Sequence, residues 1–142
     1  MFLGEHEHSL DAKGRVIIPA TFRDLLGEGP VMVKNPDGCL SIYPRPAFEE
    51  LAERISEISK QGERERAAVS TLFAGAAVLT PDKQGRIAIP QKLRDFAHLD
   101  RDVVIAGNRH RVDVWNAETY SERERVGDLS LLSAGALSKI GM

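Results

Sequence analysis

Short apolar runs bounded by turn residues alternate along this chain with stretches whose apolar residues recur at helical spacing. Phe2 to Ser9 is partly alternating and predicts a first strand. Leu10 to Gly14 carries the turn residues Asp11 and Gly14, and Arg15-Val16-Ile17-Ile18 is β-branched after its first residue, which predicts a second strand. Together they suggest a β-hairpin with Asp-Ala-Lys-Gly at its tip. Pro19 fits the first position of a helix, where a missing N–H is harmless. Phe22, Leu25 and Leu26 share one helical face, and Gly27 suits the stop.

Val31-Met32-Val33 and Leu40-Ser41-Ile42-Tyr43 predict two more strands, joined by the turn Asn35-Pro36-Asp37-Gly38. Pro44 and Pro46 bracket a break. From Ala47 the apolar positions Phe48, Leu51, Ala52, Ile55 and Ile58 form a helical stripe, which Gly62 ends. Ala68, Val69, Leu72, Phe73 and Ala76 form a second stripe, so two adjacent helices make a helical hairpin.

The order then repeats. Val78-Leu79 is strand-like, Asp82 to Gly85 is a turn, Arg86-Ile87-Ala88-Ile89 is a strand and Pro90 opens a short helix. Val103 to Ala106 matches Val31-Met32-Val33 with one inserted residue, Gly107-Asn108 is the expected turn, and Val112 to Trp115 matches Leu40 to Tyr43. Tyr120 takes the place of Phe48. From Gly127 to Met142 the pattern fits either a weak helix or a loose tail.

The repetition reaches residue identity. Leu10 to Leu26 aligns without a gap on Pro81 to Ala97, 71 positions later, with seven identities in seventeen positions. The chain of 142 residues is therefore two copies of one unit. Residues 1–71 form a first repeat with the helical hairpin, 72–126 a second repeat, and 127–142 a tail. Each unit is small for an independent core, so the two are expected to share one. Interleaving their strands into one closed barrel would remove exposed edges.

Composition is that of a globular protein, with 42% hydrophobic and 28% charged residues. The single cysteine, Cys39, forms no internal disulfide framework and suits a reducing cytoplasm. Neither a secretory leader nor an apolar run approaching the roughly 20 residues of a membrane span is expected. Net charge is −2, with nine basic and twelve acidic residues in the first half and ten and nine in the second. Any anion site must come from local clustering, because neither half is a basic domain.

That clustering occurs at the repeated turns. Lys13 and Arg15 surround Gly14, while Lys83, Gln84 and Arg86 surround Gly85. Glycine beside basic residues lets backbone approach an anion. Arginine forks to phosphate or to the O6/N7 edge of guanine, glutamine pairs with adenine, and a β-ribbon fits the major groove. Lys13 and Lys83 are then phosphate candidates, and Arg15 and Arg86 base-reading candidates.

A second reading stands beside this one. Asp-x-x-Gly is a hairpin turn, and Arg15 and Arg86 pair with Asp11 and Asp82 or with Asp24 and Asp95 as surface ion pairs. Gly14, Gly85, Pro19 and Pro90 are structural on either reading. Arg23 and Arg94 lean structural, with a phosphate contact as the alternative. His6 and His8 face one side of a strand but lack a third metal ligand. Cys39 reads as a packed thiol, and no nucleophile elbow, Walker loop or GxGxxG motif occurs, so neither enzyme nor cofactor is expected.

Asp11-Ala12-Lys13-Gly14-Arg15-Val16-Ile17-Ile18-Pro19-Ala20-Thr21-Phe22-Arg23, followed by Asp82-Lys83-Gln84-Gly85-Arg86-Ile87-Ala88-Ile89-Pro90-Gln91-Lys92-Leu93-Arg94, resembles the paired signature of the MraZ family of bacterial transcriptional regulators. Phe2-Leu3-Gly4-Glu5-His6 and Leu72-Phe73-Ala74-Gly75-Ala76 resemble it too. The likeness runs to about Val126; a single copy would point only to the wider AbrB-like group, which includes antitoxins. The resemblance implies an α+β, mainly β fold: a swapped-hairpin, AbrB-like β-barrel built from both repeats, with peripheral helices. It implies a repressor that binds short, G-rich, directly repeated boxes in double-stranded DNA at the cell-division and cell-wall gene cluster. It also implies homo-oligomeric rings and a cytoplasmic, nucleoid-associated protein. The DNA-contact role carries over to Lys13, Arg15, Gln84 and Arg86. An antitoxin-like protein-interaction module is the alternative.

Overall fold

A computed structural model describes all 142 residues. The strands are β1 (Glu5–Ser9), β2 (Arg15–Ile17), β3 (Val31–Lys34), β4 (Leu40–Tyr43), β5 (Ala77–Val78), β6 (Arg86–Ala88), β7 (Asp102–Asn108) and β8 (Arg111–Asn116). The helices are α1 (Ala20–Leu26), α2 (Arg45–Ile58), α3 (Glu63–Ala74), α4 (Gln91–Phe96), α5 (Ala117–Val126) and α6 (Ala134–Lys139). The architecture is mixed α/β, with one six-stranded sheet, one two-stranded ribbon and helices around them. No helix is long and apolar enough to cross a membrane.

The large sheet runs β1-β7-β8-β4-β3-β5, and the ribbon pairs β2 with β6. Each copy's first strand pairs with the third strand of the other copy, β1 on β7 and β5 on β3. The fourth strands meet each other, with Ser41 opposite Asp113. The second strands do the same, with Val16 opposite Ile87. Equivalent residues facing each other are the signature of an internal pseudo-twofold axis, which passes through both sheets.

This pairing corrects the simple hairpin expected of Phe2–Ser9 and Arg15–Ile18. The turn exists, because Asp11 N–H donates to the Arg15 carbonyl and Gly14 N–H to the Asp11 carbonyl at 2.9 and 3.0 Å. Beyond it the strands part, β1 into the large sheet and β2 across to the other copy. A three-residue strand carries too little pattern to specify a partner by itself.

One cluster of 18 buried residues draws on both copies, with Val16, Ile18, Phe22, Met32, Leu40 and Ile42 from the first and Ile87, Ile89, Leu93, Ile105, Val112 and Val114 from the second. Burial of this apolar surface is the main source of stability. The polar seam at the axis is satisfied internally. Ser41 Oγ donates to Asp113 Oδ1 at 2.7 Å, and the carboxylate also accepts from Arg111 Nε at 2.8 Å and Asn108 Nδ2 at 3.0 Å.

Three further expectations shift. Pro19 and Pro90 cap their helices with extended backbone (ψ 138° and 146°) instead of occupying the first helical position. Gly107 and Asn108 lie inside β7, and the turn is Arg109-His110, with Arg109 at φ 60°. Gly107 is required by close packing instead: a Cβ there would lie 2.5 Å from the backbone of Phe2. Finally, Glu7 pairs with Val104 as its counterpart Val78 pairs with Val31, so Val104, not Val103, is the equivalent of Val31. The run Val103 to Ala106 is apolar throughout, and a run without alternation does not reveal its register.

Around this frame, α2 begins at Arg45 with Pro46 in its first turn, and α2 and α3 form the expected helical hairpin. The Tyr43–Phe48 and Trp115–Tyr120 ring pairs have the same 6.3 Å centroid separation, matching the aromatic correspondence seen in the sequence. The tail is a short 3₁₀ turn and α6, with Leu129, Leu131 and Ile140 exposed.

Candidate nucleic-acid interface

The two Asp-x-x-Gly-Arg turns lie at opposite ends of the β2–β6 ribbon. Ile89 N–H donates to the Gly14 carbonyl at 3.0 Å, and Ile18 N–H to the Gly85 carbonyl at 3.1 Å. Gly14 and Gly85 are therefore four residue steps apart along the ribbon, roughly 13 Å at 3.3 Å per residue. That is close to the width of the major groove of DNA, about 12 Å.

Each turn is built the same way. Asp11 Oδ1 accepts from the backbone N–H of Lys13 and of Arg15, both at 2.9 Å. Asp82 Oδ1 accepts from Gln84 and Arg86, also at 2.9 Å. The second carboxylate oxygen takes the arginine side chain, Arg15 Nε at 2.7 Å in one turn and Arg86 Nε at 2.8 Å in the other. Backbone donation by Arg15 holds the Asp11 carboxyl below its ordinary range, helped by its side chain and by the Lys13 N–H. Arg86 and Gln84 do the same for Asp82.

Of the partners proposed for the arginines, Asp11 and Asp82 are those found. The contact runs through Nε, so the outer Nη1 and Nη2 nitrogens lie outside it. The ion pair thus fixes the direction of each guanidinium, and the two readings of these arginines are compatible.

Gly14 and Gly85 have φ 75° and 81°, the left-handed region that glycine enters freely. Both are buried, and what covers them comes from the opposite copy. A Cβ on Gly14 would lie 1.2 Å from Nη1 of Arg94, and a Cβ on Gly85 would lie 1.3 Å from Nη1 of Arg23. Arg23 Nη1 also donates to the Gln84 carbonyl at 3.4 Å. The helical arginines therefore buttress the other copy's turn. Neither distance nor partner is visible in the sequence, but the identity of Arg23 and Arg94 within the repeat was a usable signal.

Alternation of β2 and β6 buries Val16 and Ile87 beneath the ribbon and turns Arg15, Ile17, Arg86 and Ala88 outward. Lys13, Lys83 and Gln84 are exposed at the tips. Asp11, Gly14 and Pro19 on one side, and Asp82, Gly85 and Pro90 on the other, shape the turns and the helix starts.

The remaining candidates fall elsewhere. His6 lies edge-on to Phe22, with ring centroids 5.4 Å apart, and beside His8. Cys39 is fully buried against Val104, Ala106 and Trp115, and burial pushes its thiol up to about 12, leaving it inert at neutral pH.

Fold and site together define a tandem-duplicated α+β protein whose two basic turns flank one shared ribbon. Its sequence matches the family described as "MraZ protein, putative antitoxin-like" over residues 1–70 and 72–131. Similar curated proteins carry the name transcriptional regulator MraZ. That of Roseiflexus sp. (strain RS-1) is 49% identical over 81% of this chain and 80% of its own. That of Acetivibrio thermocellus is 44% identical over 96% and 98%, and that of Pelotomaculum thermopropionicum 42% identical over 92% and 99%. The chain belongs to the MraZ family.

Proposed function

We propose that this protein is a sequence-specific DNA-binding transcriptional regulator, a repressor, that reads short G-rich repeated boxes through the two ends of the β2–β6 ribbon. The observation that carries the reading is the pairing of two alike-built, arginine-bearing turns whose glycines lie about 13 Å apart along one ribbon. Arg15 and Arg86 fork to guanine edges. Lys13 and Lys83 meet phosphates, and Gln84 supplies a polar contact where the first copy has Lys13. The names of the relatives support regulation of transcription as the biological role.

On this reading residues 1–71 and 72–126 are two copies of one unit that fold together, and the six-plus-two arrangement of strands is a swapped-hairpin barrel. With so few basic contacts per chain, a homo-oligomeric ring engaging several boxes supplies the affinity through effective concentration. The protein then works in the cytoplasm at the nucleoid, on the cell-division and cell-wall gene cluster that includes its own gene.

The test is a gel shift on the DNA upstream of its own gene across a range of salt. Retardation that competes with unlabelled specific duplex, and weakens steeply with salt, is expected. Failure to shift that DNA, with a stoichiometric protein co-purifying instead, would establish the antitoxin-like interaction reading. A groove of about 490 Å³ between the helical hairpin and the sheet, lined by Leu51, Ile55, Val69 and Leu72 together with Lys34, Asp37 and Arg111, is where such a partner would sit.

A further inference from the structure

The outward face of the ribbon contains an apolar residue that folding does not require there. Ile17 lies on the face opposite buried Val16, directly across from Arg86 and two residues along the strand from Arg15. It is 45% exposed, while its neighbours Val16 and Ile18 are each 1% exposed. Its counterpart in the second copy is Ala88, across from Arg15. The ribbon thus offers two arginines with a large apolar side chain beside one and a methyl group beside the other.

We infer that Ile17 is a specificity-determining residue that packs on the C5-methyl group of a thymine next to the guanines engaged by the arginines. The inference rests on the DNA-binding reading above and deepens it. In the major groove the thymine methyl is the one apolar feature that base pairs display, and apolar side chains recognise it. Directly opposed strand residues have Cβ atoms about 5 Å apart, so a side chain beside a guanine-reading arginine reaches the neighbouring base pair. Ala88 is too short to cover a methyl group as fully. The two ends of the ribbon therefore read unequal half-boxes, one with a stronger methyl requirement than the other, which gives the protein a direction on DNA despite its internal twofold axis.

The experiment starts from a duplex selected out of a random library by the full-length protein. Each thymine of the selected duplex is then replaced by deoxyuridine, which deletes only the methyl group. One position is expected to lose about four-fold in affinity, the worth of one buried methyl. Ile17→Ala should lose most of the difference between the thymine and uracil duplexes while still selecting guanine. Ala88→Ile should raise the methyl sensitivity of a second position toward that at Ile17, a gain that misfolding does not mimic. Selected binding that is indifferent to every methyl deletion, or equally sensitive in Ile17→Ala, would overturn the inference and leave the DNA-binding reading standing. Failure to select any duplex would overturn both.

Discussion

The two halves of this chain match closely at the ribbon turns and diverge at the sheet edges and in the helices that follow the fourth strands. At the ribbon, the Asp–Arg distances are 2.7 and 2.8 Å, the glycine φ angles 75° and 81°, and the opposing arginine sits equally close over each glycine. At the sheet edges, β1 has five residues and its counterpart β5 only two. After the fourth strand, the first half adds the α2–α3 hairpin, and the second adds α5 and an exposed tail. Ser41 and Asp113 face each other with different chemistry across the axis. The two copies share one geometry where they interlock at the ribbon and diverge where each carries its own additions.

The largest effect that could break this equivalence lies beneath the ribbon. Ile18 and Ile89 are 1% and 2% exposed and occupy matching positions. Truncating either to alanine should cost about 2–5 kcal/mol in urea-unfolding stability. The two losses should agree closely, and a loss confined to one variant would show that the copies are not packed equivalently.

Next come the turns. Gly14→Ala and Gly85→Ala force an L side chain to positive φ, at about 1–2 kcal/mol each, and displace Arg94 or Arg23. Because the displaced arginine belongs to the opposite half, chemical shifts should move in α4 for Gly14→Ala and in α1 for Gly85→Ala. Perturbation confined to the mutated copy would contradict the cross-copy buttress.

The carboxylates give a milder, pH-dependent comparison. Both aspartates titrate below their ordinary value, so their contribution is complete above the unfolded-state range near 4 and is lost as pH falls through the lowered native value. Amide shifts of Arg15 and Arg86 should therefore stay fixed from about pH 7 to 5 and move together only below about pH 4. A midpoint above that, or separate midpoints for the two turns, would break the match.

The smallest effect sharpens a difference. Lys13 follows Ala12 and stands next to Gly14, whereas Lys83 stands one residue farther from Gly85. Lys13→Ala should reduce the salt slope of DNA binding by about 0.9, one phosphate's worth, and Lys83→Ala by less. Equal slopes would remove the distinction.

Much of this was legible in the sequence, for local reasons. Turns, helix stripes and the repeat depend on neighbouring residues, and Asp11 to Gly14, Phe48 to Ile58 and the Tyr43/Trp115 correspondence could be read directly. What escaped depends on partners far along the chain. β2 is too short to reveal that it pairs with β6, and Val103 to Ala106 is too uniformly apolar to reveal its register. The positions of Arg23 and Arg94 over each other's glycines follow only once the copies interlock. Gly107 looked like a turn residue because glycine serves turns and close approach alike.

Whether Arg15 and Arg86 read DNA equivalently, as proposed, is tested by the binding of Arg15→Ala, Arg86→Ala and the double variant to a specific and a scrambled duplex at matched salt. Each single variant should keep its fold and oligomeric state yet lose discrimination by about 5- to 150-fold, the worth of one bidentate contact to guanine. The double variant should lose more discrimination than either single variant. Unchanged discrimination in the single variants would leave these arginines as ion-pair partners of Asp11 and Asp82 alone.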